Sequence, residues 1–344
     1  MIVRNGGALS IAYDPHSSPV TDMKNDLFLM PLLVVASEPA AKGIQRFELR
    51  HAEGADLPPF TAGAHIRVKT PSGAMRQYSL CNDPAERHRY VIAVKREADG
   101  RGGSISMVDG VRVGQCLEVG VPENLFELSP MAGSFVLIAG GIGITPMMAM
   151  ARHLLAEGLR SFKLYYLTRN AESAAFLDEL QAPEFAPHVT IHHSNADPSG
   201  TFDLWPVLER AGSKTGRHVY CCGPASLMDA VRDMTGHWPA STVHFESFGA
   251  DTKPHADDKP FEVRLSSNGD SYVIPIGVSI LDALHTAGIH VPSSCESGTC
   301  GSCKTRLLAG EADHRDLVLL DEEKADHIMV CVSRAKTPCL VLDL

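Results

Sequence analysis

The spacing of hydrophobic residues changes twice along the chain, and each change predicts a different kind of domain. From residue 24 to 130, short runs of alternating apolar and polar residues are separated by Gly, Pro, Asn and Asp. A period of two is typical of half-buried strands, and closely spaced strands favour a closed antiparallel barrel. Strands are expected in the apolar run 27–36 and at 65–69, 76–80, 89–95 and 116–119.

Residues 131 to 248 follow a second pattern, in which apolar runs alternate with helical periods. The run 135–139 is apolar throughout, as expected of a parallel strand that is buried on both faces. This alternation predicts a doubly wound parallel α/β domain. Further strands are expected at 162–168, 188–193 and 218–222, and a further helix at 225–235.

A third pattern follows a polar segment at 249–260, which has almost no apolar residues and is interpreted as a linker. Residues 261–344 begin with a hairpin that turns at Asn268 and Gly269, and a helix capped by Ser279 comes next. With a cysteine-rich loop and two later strands, this order predicts a β-grasp domain. At the other end, residues 1–23 lack periodicity and are expected to be a disordered extension or a tag.

Composition narrows the classes of function. The 344 residues suffice for two or three domains. The 31 Lys and Arg residues against 41 Asp and Glu residues give a net charge of −10, which argues against nucleic acid or an anionic membrane as a partner. The apolar run 27–36 is shorter than the roughly 18 residues of a membrane span. Nine cysteines are most easily kept reduced in the cytoplasm, which is the expected location.

Four of these cysteines have the spacing of metal ligands. Cys295, Cys300 and Cys303 form a C-x4-C-x2-C pattern, and Cys331 follows in an apolar run. This is the ligand spacing of a plant-type [2Fe-2S] ferredoxin. Structural zinc usually requires two paired C-x2-C units or paired histidines, and a disulfide cluster requires an oxidising compartment. The pattern therefore predicts an iron–sulfur cluster.

Two segments of the predicted barrel suit a phosphate-bearing heterocycle. Arg76 and Tyr78 lie on one face of a strand that ends near Ser79, and they offer a charged fork for phosphate and an aromatic ring for a flat heterocycle. Each residue alone is also compatible with an ordinary alternating strand. A later turn opens a short helix whose free N–H groups favour phosphate, at Gly102, Gly103 and Ser104. Together the two segments predict a flavin site.

The first strand of the α/β domain leads into glycines, at Gly140, Gly141 and Gly143. Glycines at such a turn let the backbone approach a pyrophosphate, although the spacing is not the G-x-G-x-x-G fingerprint. Thr145 is expected as the N-cap of the next helix and Pro146 as its first residue.

Other strand ends of this domain complete the predicted nicotinamide site. Thr168 and Arg169 end the second strand, where an adenosine ribose is expected. Cys222, Gly223 and Pro224 lie at the carboxyl end of a later strand, where open α/β sheets bind ligands. The alternative for Cys222 is a small buried hydrophobic residue. Arg169 is compatible with a 2′-phosphate, so these residues alone do not separate NADH from NADPH.

Taken together, the Arg-x-Tyr-Ser strand, both glycine turns, the Cys-Cys-Gly-Pro segment and the cysteine loop resemble the ferredoxin reductase superfamily, in its phthalate dioxygenase reductase branch. The resemblance covers residues 24–344. It implies a six-stranded antiparallel FMN-binding barrel, a nicotinamide domain and a ferredoxin domain, in that order. It also implies hydride transfer from NADH to FMN and single-electron transfer through the cluster to a Rieske-type oxygenase, by a monomer.

The resemblance also assigns roles to individual residues. Thr145, Cys222 and Glu246 are expected at the reacting centre, with Thr145 and Cys222 beside the nicotinamide. Phe248 is expected near the flavin ring. The next strand along the isoalloxazine is implied to be Ala93, Val94 and Lys95. Two alternatives stay open: a reductase for another aromatic oxygenase or demethylase, such as one acting on vanillate or a chlorobenzoate, and an electron-transfer subunit without independent turnover.

Overall fold

The computed structural model describes most of the chain between residues 29 and 344. The predicted extension at 1–23, residues 249–254 of the predicted linker, and both Cys295 and Cys300 lie outside the described residues. The described residues are 29–98, 100, 102–196, 200–210, 216–248, 255, 257–293, 296, 298, 301–316 and 318–344.

The first module is an antiparallel sheet of six strands, in the order β4-β3-β6-β1-β2-β5. The sheet closes on itself, because Leu80 pairs with Ile92 and the Cys81 N–H donates to the Val91 carbonyl. A helix, α1, contacts β5. The elements are β1 (Leu29–Ala41), β2 (Ile44–Arg50), β3 (His65–Lys69), β4 (Met75–Ser79), β5 (Tyr90–Lys95), α1 (Gly103–Gly110) and β6 (Cys116–Gly120). Of these, β2 is absent from the strands expected above.

The second module is a parallel five-stranded sheet in the order β11-β10-β7-β8-β9. Alternate residues of β7 enter different cores: Leu137 packs with α2, whereas Ile138 packs with Met228 of α5. Helices therefore cover both faces, as the doubly wound prediction requires. The elements are β7 (Ser134–Gly140), α2 (Ile144–Glu157), β8 (Ser161–Thr168), α3 (Leu177–Leu180), β9 (Val189–His193), α4 (Trp205–Leu208), β10 (Arg217–Cys222), α5 (Ala225–Met234) and β11 (Val243–Glu246).

The start of α2 differs from the expectation. A 3-10 turn covers Gly141–Gly143 and the helix begins at Ile144, with Gly143 as its N-cap. Thr145 is therefore already inside the helix, and its hydroxyl donates to the Ile142 carbonyl at 3.0 Å. The predictions of Thr145 as the N-cap and of Pro146 as the first helical residue are wrong, because the glycine turn itself supplies the first helical bonds.

The barrel and the α/β module share one hydrophobic core. Ala62, Cys81 and Ala93 of the barrel pack in the same buried cluster as Met147 and Met150 of α2. Arg152 reinforces this contact, since its guanidinium donates to the Cys81 carbonyl and pairs with Glu179 of α3. These contacts hold the edge of the parallel sheet against the barrel.

The third module has a separate core and a five-stranded sheet in the order β13-β12-β18-β14-β16, in which β12 and β18 run parallel. Its helix is capped as predicted, because the Ser279 hydroxyl accepts from the Asp282 N–H. After this helix, the described residues form five strands instead of the two expected. The elements are β12 (Phe261–Leu265), β13 (Ser271–Ile274), α6 (Ile280–Thr286), β14 (Lys304–Ala309), β15 (Ala312–Asp313), β16 (His327–Met329), β17 (Arg334–Ala335) and β18 (Cys339–Leu342). Across the described ranges, no helix has the length and apolarity needed to cross a membrane.

Candidate active site

Strand β4 presents polar atoms that the described part of the chain leaves without a hydrogen-bond partner. Tyr78 Oη and Gln77 Nε2 are buried and have no hydrogen-bond partner among the described residues. Burial raises the pKa of Tyr78 to about 12, against the opposing charge of Arg76, so the phenol stays protonated. Buried polar groups are nearly always hydrogen-bonded in native proteins. Their orphaned state therefore fits a bound polar group such as a flavin at this strand.

The predicted phosphate turn lies beside the same strand. Gly102 is the N-cap of α1 with φ 85°, a conformation that favours glycine. A Cβ on Gly103 would lie 3.0 Å from Nε of Arg76, so the arginine side chain covers the first turn of the helix. The Ser104 hydroxyl accepts from the Glu97 N–H at 3.1 Å, which fixes the turn against the loop after β5. A guanidinium next to free helical N–H groups fits a phosphate.

The three residues predicted along the isoalloxazine point in different directions. Ala93 packs in the core shared with the α/β module, and Val94 packs in the barrel core. Lys95 is exposed and pairs with Glu97. On the side away from β2, β5 is bridged at Ile92 by Leu80, and no described strand pairs with its later residues there, so the backbone after Ile92 has no strand neighbour on that side. The backbone is thus the part of this strand that suits a flavin.

The two glycine turns of the α/β module touch each other at the carboxyl edge of the sheet. A Cβ on Gly143 would lie 2.1 Å from the Cys222 carbonyl oxygen, and one on Gly140 would lie 2.6 Å from Cδ of Pro224. A Cβ on Gly223 would lie 2.9 Å from the Cα of Gly140. Only glycine allows this approach between the ends of β7 and β10, where ligands bind in such sheets. The arrangement fits a dinucleotide.

Cys222 and Glu246 come together with a residue of the barrel. They are register partners on β10 and β11, and Glu246 Oε2 accepts from the Ser79 hydroxyl at 3.4 Å. Burial raises the pKa of Glu246 to about 8, and burial together with the Glu246 charge raises the pKa of the Cys222 thiol well above its usual range. Both groups are therefore uncharged at neutral pH. The contact joins the predicted flavin strand to the predicted nicotinamide sheet.

Three further predicted residues lie at or just after the carboxyl ends of strands β8 and β11 of the same sheet. Thr168 Oγ1 is 2.6 Å from Nδ1 of His193, which links the carboxyl ends of β8 and β9. Arg169 is exposed, and its carbonyl accepts from the Asn195 N–H. Phe248 follows β11 and is 46% exposed. Its ring is thus accessible to a ligand.

Two of the four predicted cluster ligands lie within the described residues. Cys303 and Cys331 are 2% and 1% exposed and enter the same apolar core, although they come from different segments of the third module. Converging cysteines inside a core with a thiolate-ligand spacing fit an iron–sulfur cluster. Cys295 and Cys300 lie outside the described residues, so their ligand role stays a prediction.

Sequence reasoning missed several groups near these sites. Glu296, in the cysteine loop, pairs with Arg76 at 3.5 Å. His244 stacks on Tyr220 and lies within 3.0 Å of His218, on the strands that carry Cys222 and Glu246. No local signal predicts these contacts, because each depends on which strands and loops become neighbours in the fold.

A flavin barrel, a dinucleotide sheet and a cysteine loop in one chain define an oxidoreductase of the NADH-dependent flavin and iron–sulfur class. Residues 263–336 match the family model of the 2Fe-2S iron-sulfur cluster binding domain, and residues 137–233 match that of the oxidoreductase NAD-binding domain. These matches confirm the predicted order of the last two modules.

The chain belongs to the phthalate dioxygenase reductase family. It is 58% identical to phthalate dioxygenase reductase of Burkholderia cepacia, over 94% of this chain and 100% of the relative. It is 56% identical to the phthalate 4,5-dioxygenase oxygenase reductase subunit of Pseudomonas putida, over 91% and 96%. A vanillate O-demethylase oxidoreductase of Pseudomonas sp. (strain HR199 / DSM 7063) is 40% identical, over 92% and 100%.

A solved structure agrees with this membership. Phthalate dioxygenase reductase, described as a modular structure for electron transfer from pyridine nucleotides to [2Fe-2S], matches with a TM-score of 0.82 and 58% identity, over 92% of this chain and 98% of that chain. The predicted three-module fold and the predicted cofactors, NADH, FMN and a [2Fe-2S] cluster, are confirmed.

Proposed function

We propose that this chain supplies electrons from NADH to a phthalate dioxygenase of the Rieske type, through modules at 24–130, 131–248 and 261–344. The contact of Ser79 with Glu246, next to Cys222, carries the proposal, because it makes the flavin and nicotinamide sites adjoin. The higher identity to the two phthalate reductases than to the vanillate reductase favours phthalate dioxygenase as the partner. We also infer that the protein is cytoplasmic and monomeric. Light scattering of the purified protein tests whether it is a monomer.

When bound, FMN and the [2Fe-2S] cluster would supply the redox chemistry that converts the two electrons of a hydride into single electrons. The protein binds and orients these groups. Arg76 and the turn at Gly102–Ser104 would hold the flavin phosphate, and Tyr78 would donate its orphaned hydroxyl. The four cysteines would hold the cluster through their thiolates.

At the reacting centre the protein excludes charge and water. Cys222 is fully buried with a neutral thiol, so it would support the nicotinamide site by packing and would take no proton. Thr145 is 2% exposed and its hydroxyl already donates to Ile142, which leaves its oxygen lone pairs free to accept from a carboxamide. Ser79 donates to Glu246 and holds this carboxyl at the edge of the barrel. Together these groups position the two rings.

The role of Cys222 is tested by Cys222→Ala. Loss of the thiol opens space beside the nicotinamide, so flavin reduction by NADH should slow by about tenfold, because small misplacements of reacting groups are costly. Transfer from pre-reduced flavin to the cluster should be unchanged. Stopped-flow absorbance measures both steps, and equal flavin-reduction rates in variant and wild type would contradict the assignment.

The electron path is tested by Cys300→Ser, with Cys339→Ser as the matched control. Cys339 is a half-buried cysteine of β18 outside the ligand pattern. Cys300→Ser should retain NADH oxidation by a small dye and lose reduction of the oxygenase, whereas the control should retain both. Reduction of the oxygenase by Cys300→Ser would contradict the proposed electron path. If the wild type failed to oxidise NADH with a dye, the result would favour a subunit without independent turnover.

The partner is tested by reconstitution. The purified reductase, with NADH, should support product formation by phthalate dioxygenase at a higher rate than by the oxygenase component of vanillate demethylase. The reverse order of rates would favour the vanillate alternative.

A further inference from the structure

Glu296 of the cysteine loop makes an ion pair outside its own module. Its Oε2 lies 3.5 Å from Nη1 of Arg76 in the barrel, and the two side chains are only 22% and 23% exposed. An ion pair that is largely removed from solvent is screened less than a surface pair and interacts more strongly. The contact therefore links the loop that holds two predicted cluster ligands to the predicted flavin strand.

The backbone of Glu296 supports a special role. Its φ is 49°, and among the described residues only Phe176 shares a positive φ without being glycine. A side chain in this left-handed region costs free energy and persists where the surrounding structure enforces it. A glycine would relieve this cost, but it would lack the carboxylate that reaches Arg76.

Arg76 lies between the Glu296 carboxylate and the helix turn that is proposed to bind the flavin phosphate. Its side chain covers the first turn of α1, where a Cβ on Gly103 would lie 3.0 Å from Nε, and the same guanidinium faces Glu296. A guanidinium has five donors in a fixed fork, so it is able to serve a phosphate and a carboxylate at the same time.

We propose that Glu296 is a positioning residue, which docks the cluster loop onto the flavin site by sharing Arg76 with the flavin phosphate. The inference rests on the proposed role of Arg76 in binding that phosphate. It deepens the proposed function by coupling occupancy of the flavin site to the placement of the cluster loop.

If Glu296 and the flavin phosphate share the Arg76 cation, neutralising Glu296 should lower the Kd of FMN. The Glu296 carboxylate and a flavin phosphate repel each other across Arg76, so a neutral residue at position 296 should tighten FMN while it loosens the loop. A residue with a purely structural role would weaken flavin binding when substituted. The two roles therefore predict opposite changes in the Kd of FMN.

The experiment compares Glu296→Gln with wild type in full-length protein that retains its cluster. After removal of flavin, the Kd of FMN and of riboflavin is measured by fluorescence quenching. We expect the FMN Kd to fall about threefold to tenfold and the riboflavin Kd to stay the same, because riboflavin lacks the phosphate. In the FMN-loaded protein, bleaching of the cluster band after mixing with NADH should slow by about fivefold, with flavin reduction unchanged.

Two further variants separate the possible failures. Glu311→Gln removes the same charge from a residue that pairs with Lys336 within the third module, and it should behave as wild type. Arg76→Lys should raise the FMN Kd more than the riboflavin Kd; equal effects on the two ligands would overturn the proposed phosphate site itself. If Arg76→Lys behaves as expected but Glu296→Gln binds both flavins as wild type does, or weakens both, the docking role alone is overturned.

Discussion

Glu246 shows how one residue is tuned by its surroundings. Its carboxyl lies between the barrel and the parallel sheet, where burial raises its pKa to about 8 from an ordinary 4.5, despite the hydrogen bond from Ser79. The adjacent Cys222 thiol is neutral for the same reason. A charged carboxylate here would oppose the negative charge that a hydride brings to the flavin. We therefore expect flavin reduction to be fastest while Glu246 is protonated.

This tuning predicts a pH dependence. In wild type, the rate of flavin reduction by NADH should fall above about pH 8 as Glu246 ionises, whereas Glu246→Gln should show no such fall. Stopped-flow rates from about pH 6 to 9 measure it, with Glu172→Gln, an exposed carboxylate paired with Lys42, as the control. A decline near pH 8 that survives in Glu246→Gln would contradict the prediction.

The raised pKa of Glu246 also makes the free energy of unfolding depend on pH. Because the folded pKa lies above the unfolded one, the folded state holds an extra proton between about pH 4.5 and 8. The contribution of this carboxyl to the free energy of unfolding is fully present below the unfolded pKa and is lost as pH rises through the folded pKa. Glu246→Gln should remove this part of the pH dependence of the free energy of unfolding, which urea unfolding at several pH values measures.

Among the elements of the α/β module, two turns touch each other where the nicotinamide site is predicted. The turn before α2 and the turn before α5 touch through backbone atoms, and no side chain fits between them. Two strand ends at the centre of a parallel sheet are thereby brought close enough to bind one dinucleotide. The glycines of these turns let the two strand ends pack against each other, in addition to any contact with phosphate.

Gly143→Ala tests this contact. The new Cβ would lie 2.1 Å from the Cys222 carbonyl and 2.9 Å from the Gly223 nitrogen, so the turns must separate. We expect a loss of about 1–3 kcal/mol in the free energy of unfolding and a higher KM for NADH. Gly236→Ala is the matched control, because its Cβ would meet no atom closer than 3.7 Å. An unchanged KM in Gly143→Ala would show that the turns do not form the dinucleotide site.

The three modules of the molecule are not equally independent, because they do not each have a separate hydrophobic core. The barrel and the α/β module share one buried cluster, whereas the third module has its own. A buried ion-pair network anchors the segment before β12 to that third module: Asp258 pairs with Arg315 and lies near Arg334, with side chains 4%, 9% and 8% exposed. We therefore expect the third module to unfold as a separate unit.

Asp258→Asn tests this division. It removes the negative charge that pairs with two buried guanidinium groups, so the third module should lose about 3 kcal/mol of stability. Thermal loss of the cluster absorbance should move to lower temperature, while release of FMN fluorescence should stay near its wild-type temperature. Asp257→Asn, at an exposed neighbouring position, is the control. A shift of both signals by the same amount would show that the three modules unfold together.

The three modules were predictable from residue patterns, because each carries a local signal: alternation with period two, apolar runs between helical periods, and a cysteine spacing. Residues that act through their own turn, such as Gly102 and Ser279, were predictable for the same reason. The start of α2 was not, since the preceding glycine turn competes with Thr145 for the capping position.

Which of these residues contact one another depends on the three-dimensional fold. Ser79 and Glu246 are 167 residues apart, and Arg76 and Glu296 come from different modules. Such pairs depend on sheet order and on the packing of one module against another, which arise from many weak contacts summed over the whole chain. Local residue patterns carry no record of that sum, so the chemistry of each site was foreseeable and its long-range partners were not.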